Sequence, residues 1–389
     1  MRIYFQTQKK MKPNANEFLI VVLGGPSEGE SIVIHLGDDR WMIIDSSKIG
    51  KEVLALKYLE DNEISYDNVD IIVCTHWHAD HIYGIGEILK KCKNAKFWVP
   101  IVSQSKMMPY YFVKKIKEKD IHDFETVAEE YAYCMKLANK RGKLEYLFKD
   151  GNIIKYRNSN HNISIDALSP SSGMVSKYQK LWASRKKDQF AESGVDPNKS
   201  SVAIDISIDD KLHFLFGADL ECNRPENDTD FENCIYKCER RKDVGWCNVC
   251  VGSSTYDFHG KYNYIKIIHH SSKTGYCPQL WGTKVTDEVV GVTTVFSKDG
   301  LPQNDMEVLY WDRCKDYYVT APPIQYQQAH QTTDIERMQK AGVVSDIKVL
   351  PRTYGTVASK YNIEECKYEG TELGGTAFRF EEKHIYKFG

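Results

Sequence analysis

The sequence has no apolar run approaching the roughly 20 residues that a bilayer-spanning helix requires, and its opening, MRIYFQTQKK, meets charge at Lys9 before any apolar stretch develops. Neither a membrane span nor a secretory leader is therefore expected, and the chain is expected in the cytoplasm. It also lacks a dominant charge: 52 Lys plus Arg against 54 Asp plus Glu leave a net charge of −2, so global charge selects no partner. No internal repeat or low-complexity linker divides it. The glycine-rich turn Gly24-Gly25-Pro26-Ser27-Glu28-Gly29 lacks the Lys-Ser/Thr of a phosphate-binding loop and reads as a hairpin. An even disulfide framework is missing too. The 11 cysteines include Cys74, Cys92 and Cys134 in apolar surroundings, which suits reduced thiols.

What is present is a globular composition. The 389 residues are 42% hydrophobic and 27% charged, enough to bury the core of one large α/β domain or of two ordinary ones. Charge is unevenly placed. Between residues 106 and 188, 17 Lys plus Arg face 10 Asp plus Glu, a positive excess that would draw an anionic substrate. A solvated helical insertion kept soluble by its lysines accounts for the same count.

Residues 18–23, 31–36 and 40–45 are β-rich runs separated by Gly and Asp turns, which predicts an antiparallel meander. Residues 52–60 place Val53, Leu54, Leu56 and Leu59 at helical spacing, and 69–74 is a fully apolar strand. A helix over 82–91, a strand over 96–99 and mostly helix over 102–149 follow, with Tyr110, Tyr111, Phe112, Tyr131 and Tyr133 on apolar faces. Strand character returns at 153–156, 163–168, 202–208, 213–216, 264–268, 289–296, 317–320 and 376–380. This alternation predicts two sheets covered by helices. Within a single domain over 1–389, residues 101–195 read as a helical, basic insertion region and 221–262 as a Cys-containing insertion loop. The stretch after Pro322 offers only its last strand, which is expected to complete a sheet.

The strand 69–74 runs into Thr75-His76-Trp77-His78-Ala79-Asp80-His81, four candidate ligands within six residues. Imidazoles and a carboxylate suit Zn²⁺ and related first-row ions, which acidify a bound water. A loop after a buried strand is a common place for such groups.

This His-x-His-x-Asp-His segment resembles that of the metallo-β-lactamase superfamily, and the resemblance extends over about residues 18–320. Asp45, ending the strand 41–45, resembles the buried aspartate that orients the histidine loop. Phe214-Leu215-Phe216-Gly217-Ala218-Asp219 resembles the strand that delivers the metal-bridging carboxylate, here Asp219; an ordinary turn aspartate is the other reading. Ile267-Ile268-His269-His270-Ser271-Ser272-Lys273-Thr274 resembles the His-His-Gly-Ser segment of the ComEC/Rec2-like competence-protein branch, which is nuclease-like. Asn198-Lys199-Ser200-Ser201-Val202-Ala203 resembles that branch's entry into the preceding strand.

The resemblance implies an α/β fold, a four-layered αββα sandwich with a helical insertion, and two divalent metal ions, Zn or Mn. His76 and His78 would hold one ion, Asp80, His81 and His269 the other, with Asp219 shared. His269 is favoured as the ligand because it comes first after the strand, which leaves His270 to contact substrate or pass a proton; the two roles exchanged are the alternative. Many members supply a further histidine where this chain has residues 167–172, and it has none there. His161 is the nearest and reads as a surface residue, so the first site would be completed by water or take a harder ion such as Mn²⁺.

Cys234-x-x-x-Cys238 and Cys247-x-x-Cys250, with Cys222 nearby, would close a tetrahedral structural zinc in an otherwise polar insertion; free thiols or a disulfide are the alternative. Ser271, Ser272, Lys273, Ser297 and Lys298 are candidate contacts to a phosphoryl oxygen. The 24 Tyr and 7 Trp either fill the core or, near the basic region, stack on bases. Asp80, His270 and Lys273 are the candidate catalytic groups. The expected function is metal-dependent hydrolysis of a phosphodiester, DNA or RNA. The alternatives are hydrolysis of a small ester, lactone, thioester or phosphorylcholine-type substrate, and a non-catalytic metal-binding interaction protein.

Overall fold

The computed structural model of the chain describes residues 12–27, 29–104, 126–149, 154–158, 161–183, 196–222, 245–251, 260–322 and 354–381. The meander forms first. β1 (Glu17–Gly24), β2 (Glu30–His35) and β3 (Trp41–Ile44) pair antiparallel, in the register Leu23 opposite Ser31 and Ile32 opposite Ile44. A small hairpin, β4 (Lys48–Ile49) with β5 (Glu52–Val53), and the helix Leu54–Asp61 lead to β6 (Val69–Val73). β6, β7 (Lys96–Pro100) and β8 (Leu144–Leu147) then add in parallel beyond β3.

The second sheet repeats this plan. β9 (Ile154–Asn158), β10 (His161–Ala167), β11 (Ile204–Ile208) and β12 (Leu212–Phe216) pair antiparallel, and β13 (Tyr262–Lys266), β14 (Val285–Thr293) and β15 (Asp316–Val319) follow in parallel. β16 (Gly355–Asn362) pairs with β1 and carries β17 (Lys367–Gly375) on its outer side, while β18 (Phe378–Arg379) pairs with β15. The result is two eight-stranded sheets, ordered β17-β16-β1-β2-β3-β6-β7-β8 and β18-β15-β14-β13-β12-β11-β10-β9.

Three apolar layers hold the sheets and helices together. Successive strand side chains point to opposite faces, so β1 sends Phe18, Ile20 and Val22 into the layer between the sheets, against Phe214, Phe216 and Tyr264. Its Leu19, Val21 and Leu23 go to the outer layer beneath helices, with Leu54, Leu59 and Ile88. Both faces are covered, and for that reason the strand reads as continuous apolar sequence. On the second sheet Leu215, Ile265 and Ile267 pack against Leu280, Trp281, Met306 and Tyr310 of the outer helices. Helix, sheet, sheet and helix thus stack as four layers. Among the described residues no helix is long and apolar enough to cross a membrane.

The sequence-based expectations hold for β1 to β3, β6, β7 and the strands of the second sheet, with differences elsewhere. Residues 144–147, expected to be helical, form β8, because parallel pairing of Phe97 with Leu144 and Val99 with Tyr146 overrides a weak local preference. The helix Val127–Lys140 begins with a capping box at Thr126 and Glu129 and buries Tyr131, Cys134, Met135 and Ala138 on one face. Tyr110, Tyr111 and Phe112 lie outside the described residues. Beyond Pro322 the described residues supply not one strand but three, two of them extending the first sheet.

Candidate metal centre

Parallel strands release their following loops at one edge of each sheet, where ligands of open α/β sheets gather. In the first sheet β3 ends in Asp45 and β6 in the loop 74–81; at matching places in the second, β12 ends in Asp219 and β13 in His269 and His270. Both edges face the same cleft. The ligand atoms of Asp80, His81, Asp219 and His270 all lie within 4.8 Å of one another, and so do those of His76, His78 and Asp219. Asp219 therefore belongs to both groups.

Each buried imidazole is held by its Nδ1. Asp45, in the left-handed region at φ 56, accepts from Thr75 N at 2.7 Å and Thr75 Oγ1 at 2.6 Å. Its Oδ2 also lies 2.7 Å from His81 Nδ1, so a carboxylate requires the proton there. Thr75 Oγ1, having donated to Asp45, accepts from His76 Nδ1 at 3.0 Å. His270 follows the same logic across the sheets: Thr294 Oγ1 donates to Glu30 Oε2 at 2.8 Å, so it accepts from His270 Nδ1 at 2.9 Å. Glu30 is itself paired with buried Lys266, Nζ to Oε2 at 2.5 Å.

With Nδ1 protonated, each Nε2 presents a lone pair to the cleft. There they meet more acceptors. His81 Nε2 lies 3.3 Å from Asp219 Oδ2 and 3.6 Å from Asp80 Oδ2, His270 Nε2 lies 3.2 Å from Asp80 Oδ2, and His76 Nε2 lies 3.8 Å from Asp219 Oδ2. His81 Nε2 and Asp219 Oδ1 are buried without a hydrogen bond of their own. Facing acceptors in a buried site need positive charge between them, a proton or a bound cation, so the donor set fits divalent metal ions.

The electrostatics agree. Burial opposes charge on His81, but the carboxylates of Asp219, Asp80 and Asp45 outweigh it and hold the imidazole well above its usual range. Burial likewise opposes charge on Asp219, yet His81, His269 and His270 hold it well below the usual carboxylate range. The field that would retain a proton here is the one that would retain a metal ion. Burial drives His76 well below the ordinary histidine value and lowers His78, leaving both neutral.

Sequence reasoning favours His269 over His270 as the ligand, with the exchange as its alternative; the structure groups His270, rather than His269, with Asp80, His81 and Asp219. Both have positive φ, 50° and 48°, so the chain turns left-handed and the first ring is swung outward. His269 Nδ1 lies 3.0 Å from Thr274 Oγ1, which donates to Glu221, and its Nε2 takes the Asn198 amide at 3.3 Å. It is 3.9 Å from Asp219 Oδ2 and partly exposed.

The candidate catalytic Lys273 pairs its ammonium with Asp305 at the surface, 2.5 Å away, rather than with any carboxylate of the cluster. Ser271 is buried beside Glu307 and Tyr317 and is not a surface contact. Ser272 accepts from Thr274 N and stabilises its own turn. Ser297 N donates to Pro26 O, and Lys298 lies over the Phe296 ring at 5.9 Å. His161, at the start of β10, pairs with Asp209 at 2.7 Å, in the turn between β11 and β12. Cys234 and Cys238 lie outside the described residues.

Glu30, Lys266, Thr75 and Thr294 went unnoticed in the sequence, since none carries a local pattern. The glycine-rich turn is more than a hairpin. Gly29, at φ 85, packs on the Asp80 main chain so closely that a Cβ there would come 2.0 Å from Asp80 O.

Residues 24–152 match the family described as the Metallo-beta-lactamase superfamily. The chain is similar to that superfamily over this segment, about a third of its length. Its two sheets flanked by helices are the metallo-β-lactamase fold, and its His/Asp cluster occupies the matched segment together with loops of the second sheet. Similar solved structures include a hydrolase of the beta lactamase superfamily, AbOPH, at 14% identity and TM-score 0.33, covering 54% of this chain and 72% of that one. The metallo-beta-lactamase fold protein YhfI from Bacillus subtilis has 8% identity and TM-score 0.29, covering 64% and 70%. A metallo-beta-lactamase from Cronobacter sakazakii has 10% identity and TM-score 0.33, covering 63% and 76%. No curated protein sequence matches the chain.

Proposed function

We propose that this metallo-β-lactamase-fold chain is a dinuclear metal-dependent hydrolase of phosphodiesters, with DNA or RNA as its substrate. The observation that carries the reading is that Asp219 belongs to two ligand groups at once, His76 with His78, and Asp80 with His81 and His270. Two divalent ions, Zn or Mn, would supply there the positive charge that acidifies a water and stabilises the oxygens of an in-line displacement.

The chain's own residues supply the geometry. Asp45, Thr75 and Thr294 fix the tautomers of His81, His76 and His270, so that the Nε2 atoms point inward without rearrangement. His269 stands at the edge of the cleft with its Nδ1 proton held by Thr274 and its Nε2 accepting from the Asn198 amide, so it would take up a proton at Nε2 only once substrate displaces that amide. A phosphodiester is favoured because the His269–Thr274 and Asn198–Ala203 segments resemble the nuclease-like competence branch and because residues 106–188 carry excess positive charge.

The test is hydrolysis of labelled single- and double-stranded DNA and RNA, and of bis-p-nitrophenyl phosphate, by metal-stripped protein given Zn²⁺ or Mn²⁺, with Asp80→Ala as control. Metal-dependent cleavage that is lost in the control, and for the polymers falls steeply with salt, is the expected result. Binding of two metals with every diester left intact would move the substrate to small esters, lactones or thioesters.

A further inference from the structure

Four cysteines from three separate segments converge next to the histidine–carboxylate centre. Cys247 and Cys250 lie one turn apart on the helix Gly245–Val251, Cys277 is the cap residue of the helix Pro278–Thr283, and Cys222 follows the Asp219 loop. The Cys250 and Cys277 sulfurs are 3.8 Å apart, and the Cys222 thiol contacts those of both Cys247 and Cys277. Cys222, Cys247 and Cys277 are buried and Cys250 is partly so; none of the described cysteines is in a disulfide.

We propose that Cys222, Cys247, Cys250 and Cys277 form a structural zinc site, separate from the dinuclear centre. Zinc–sulfur bonds of about 2.3 Å in a tetrahedron place the sulfurs about 3.8 Å apart; the Cys250 and Cys277 sulfurs already stand at that separation, and a bound ion would draw the other two in to match. A disulfide requires about 2.05 Å and joins only two sulfurs, whereas Cys222 touches two others. The surroundings are anchored independently: Trp246 Nε1 donates to Leu220 O at 2.6 Å, Cys222 N to Thr274 O at 2.7 Å, and Lys149 Nζ to Asn248 O at 2.9 Å. Each thiol that becomes a ligand releases its proton to solvent, so loading weakens in acid. Sequence spacing suggests Cys234 and Cys238 with Cys247 and Cys250; the first two lie outside the described residues, and Cys222 and Cys277 are the described cysteines that meet the second pair.

The consequence reaches the active cleft. Cys222 lies just beyond Asp219 and Glu221, and Cys277 just beyond the turn that carries His269, His270 and Thr274. A zinc joining them would clamp these two loops to each other and to the helix Gly245–Val251.

Metal analysis and cobalt substitution of the full chain test the site without any reliance on hydrolysis. The His78→Ala/Asp219→Ala variant, which lacks the shared carboxylate, is expected to retain one zinc per chain that an organomercurial releases and that therefore sits on thiolates. With Co²⁺ it should show thiolate-to-cobalt charge-transfer absorption, which His and Asp ligands cannot give. Adding Cys250→Ser, at the least buried ligand, should remove that absorption. Should a thiol variant fail to fold, release of one zinc from the folded His78→Ala/Asp219→Ala protein by an organomercurial gives the same reading. A His78→Ala/Asp219→Ala protein that binds no metal, or whose absorption is unchanged by Cys250→Ser and Cys277→Ser, overturns the proposal. Cysteine-bound zinc found alongside an empty dinuclear centre would instead count against the hydrolase reading and leave this one standing.

Discussion

The ammonium of Lys266 lies 2.5 Å from Glu30 Oε2, and both side chains are about 1% exposed, one at the end of β13 and the other at the start of β2. Burial alone would raise Glu30, but Lys266 and the nearby His81 and His270 hold its carboxyl below the usual value. Charged, it accepts from Thr294 and so fixes the proton on His270. Lys266→Met leaves that carboxylate buried without its partner, and the expected loss is about 3–5 kcal/mol. Urea unfolding measures it, and Glu30→Gln added to Lys266→Met should recover part of it.

Asp45→Asn keeps the shape of the site but offers His81 and Thr75 one acceptor oxygen in place of two. His81 is then free to turn or to change tautomer. The expected result is about 10–100-fold weaker binding of one metal ion with little change in fold, read by competitive chelator titration.

His270→Ala and His269→Ala should separate cleanly. The first removes a ligand from the Asp80, His81 and Asp219 group, so bound metal should fall by one ion and hydrolysis should be lost. The second removes a group held by Thr274 and Asn198, so both ions should remain while turnover drops. Equal metal loss in the two variants would return His269 to the ligand set.

Glu130 gives a pH dependence away from the metals. Its Oε1 accepts from Gly84 N at 2.9 Å and Gly86 N at 3.1 Å, capping the helix Ile85–Lys91, while burial pushes its carboxyl up to about 7. Because the folded value lies above the unfolded one, stability is fullest below the ordinary carboxylate range and declines as pH rises towards about 7. Glu130→Gln carries no such charge, so it should gain on the native chain by an order of 1–3 kcal/mol between about pH 5 and about pH 8. Melting curves across that range measure the difference.

The candidate cluster was legible because His76, His78, Asp80 and His81 follow one apolar strand within six residues, and Asp45 and Asp219 because each ends a strand of its own. Which of His269 and His270 stands among the carboxylates depends on the backbone: the two adjacent left-handed residues put the second ring in the group, and no residue type announces that. Glu30, Lys266 and Thr294 come together only when the two sheets stack, and a lone acid at the start of a strand reads as solvent-facing. β16 escaped notice for a similar reason, since its partner is β1, with Asn362 opposite Glu17. Cys222 and Cys277 are far apart in sequence and come together where Cys222 N donates to Thr274 O, a proximity that spacing does not reveal.

The shared position of Asp219 is the centre of this account, and electron paramagnetic resonance of the Mn²⁺-loaded chain tests it most directly. Two ions bridged by one carboxylate should give an exchange-coupled signal at two Mn²⁺ per chain, and Asp219→Asn should uncouple them into isolated-ion spectra. An uncoupled signal from the native protein, or saturation at a single Mn²⁺, would contradict the dinuclear site.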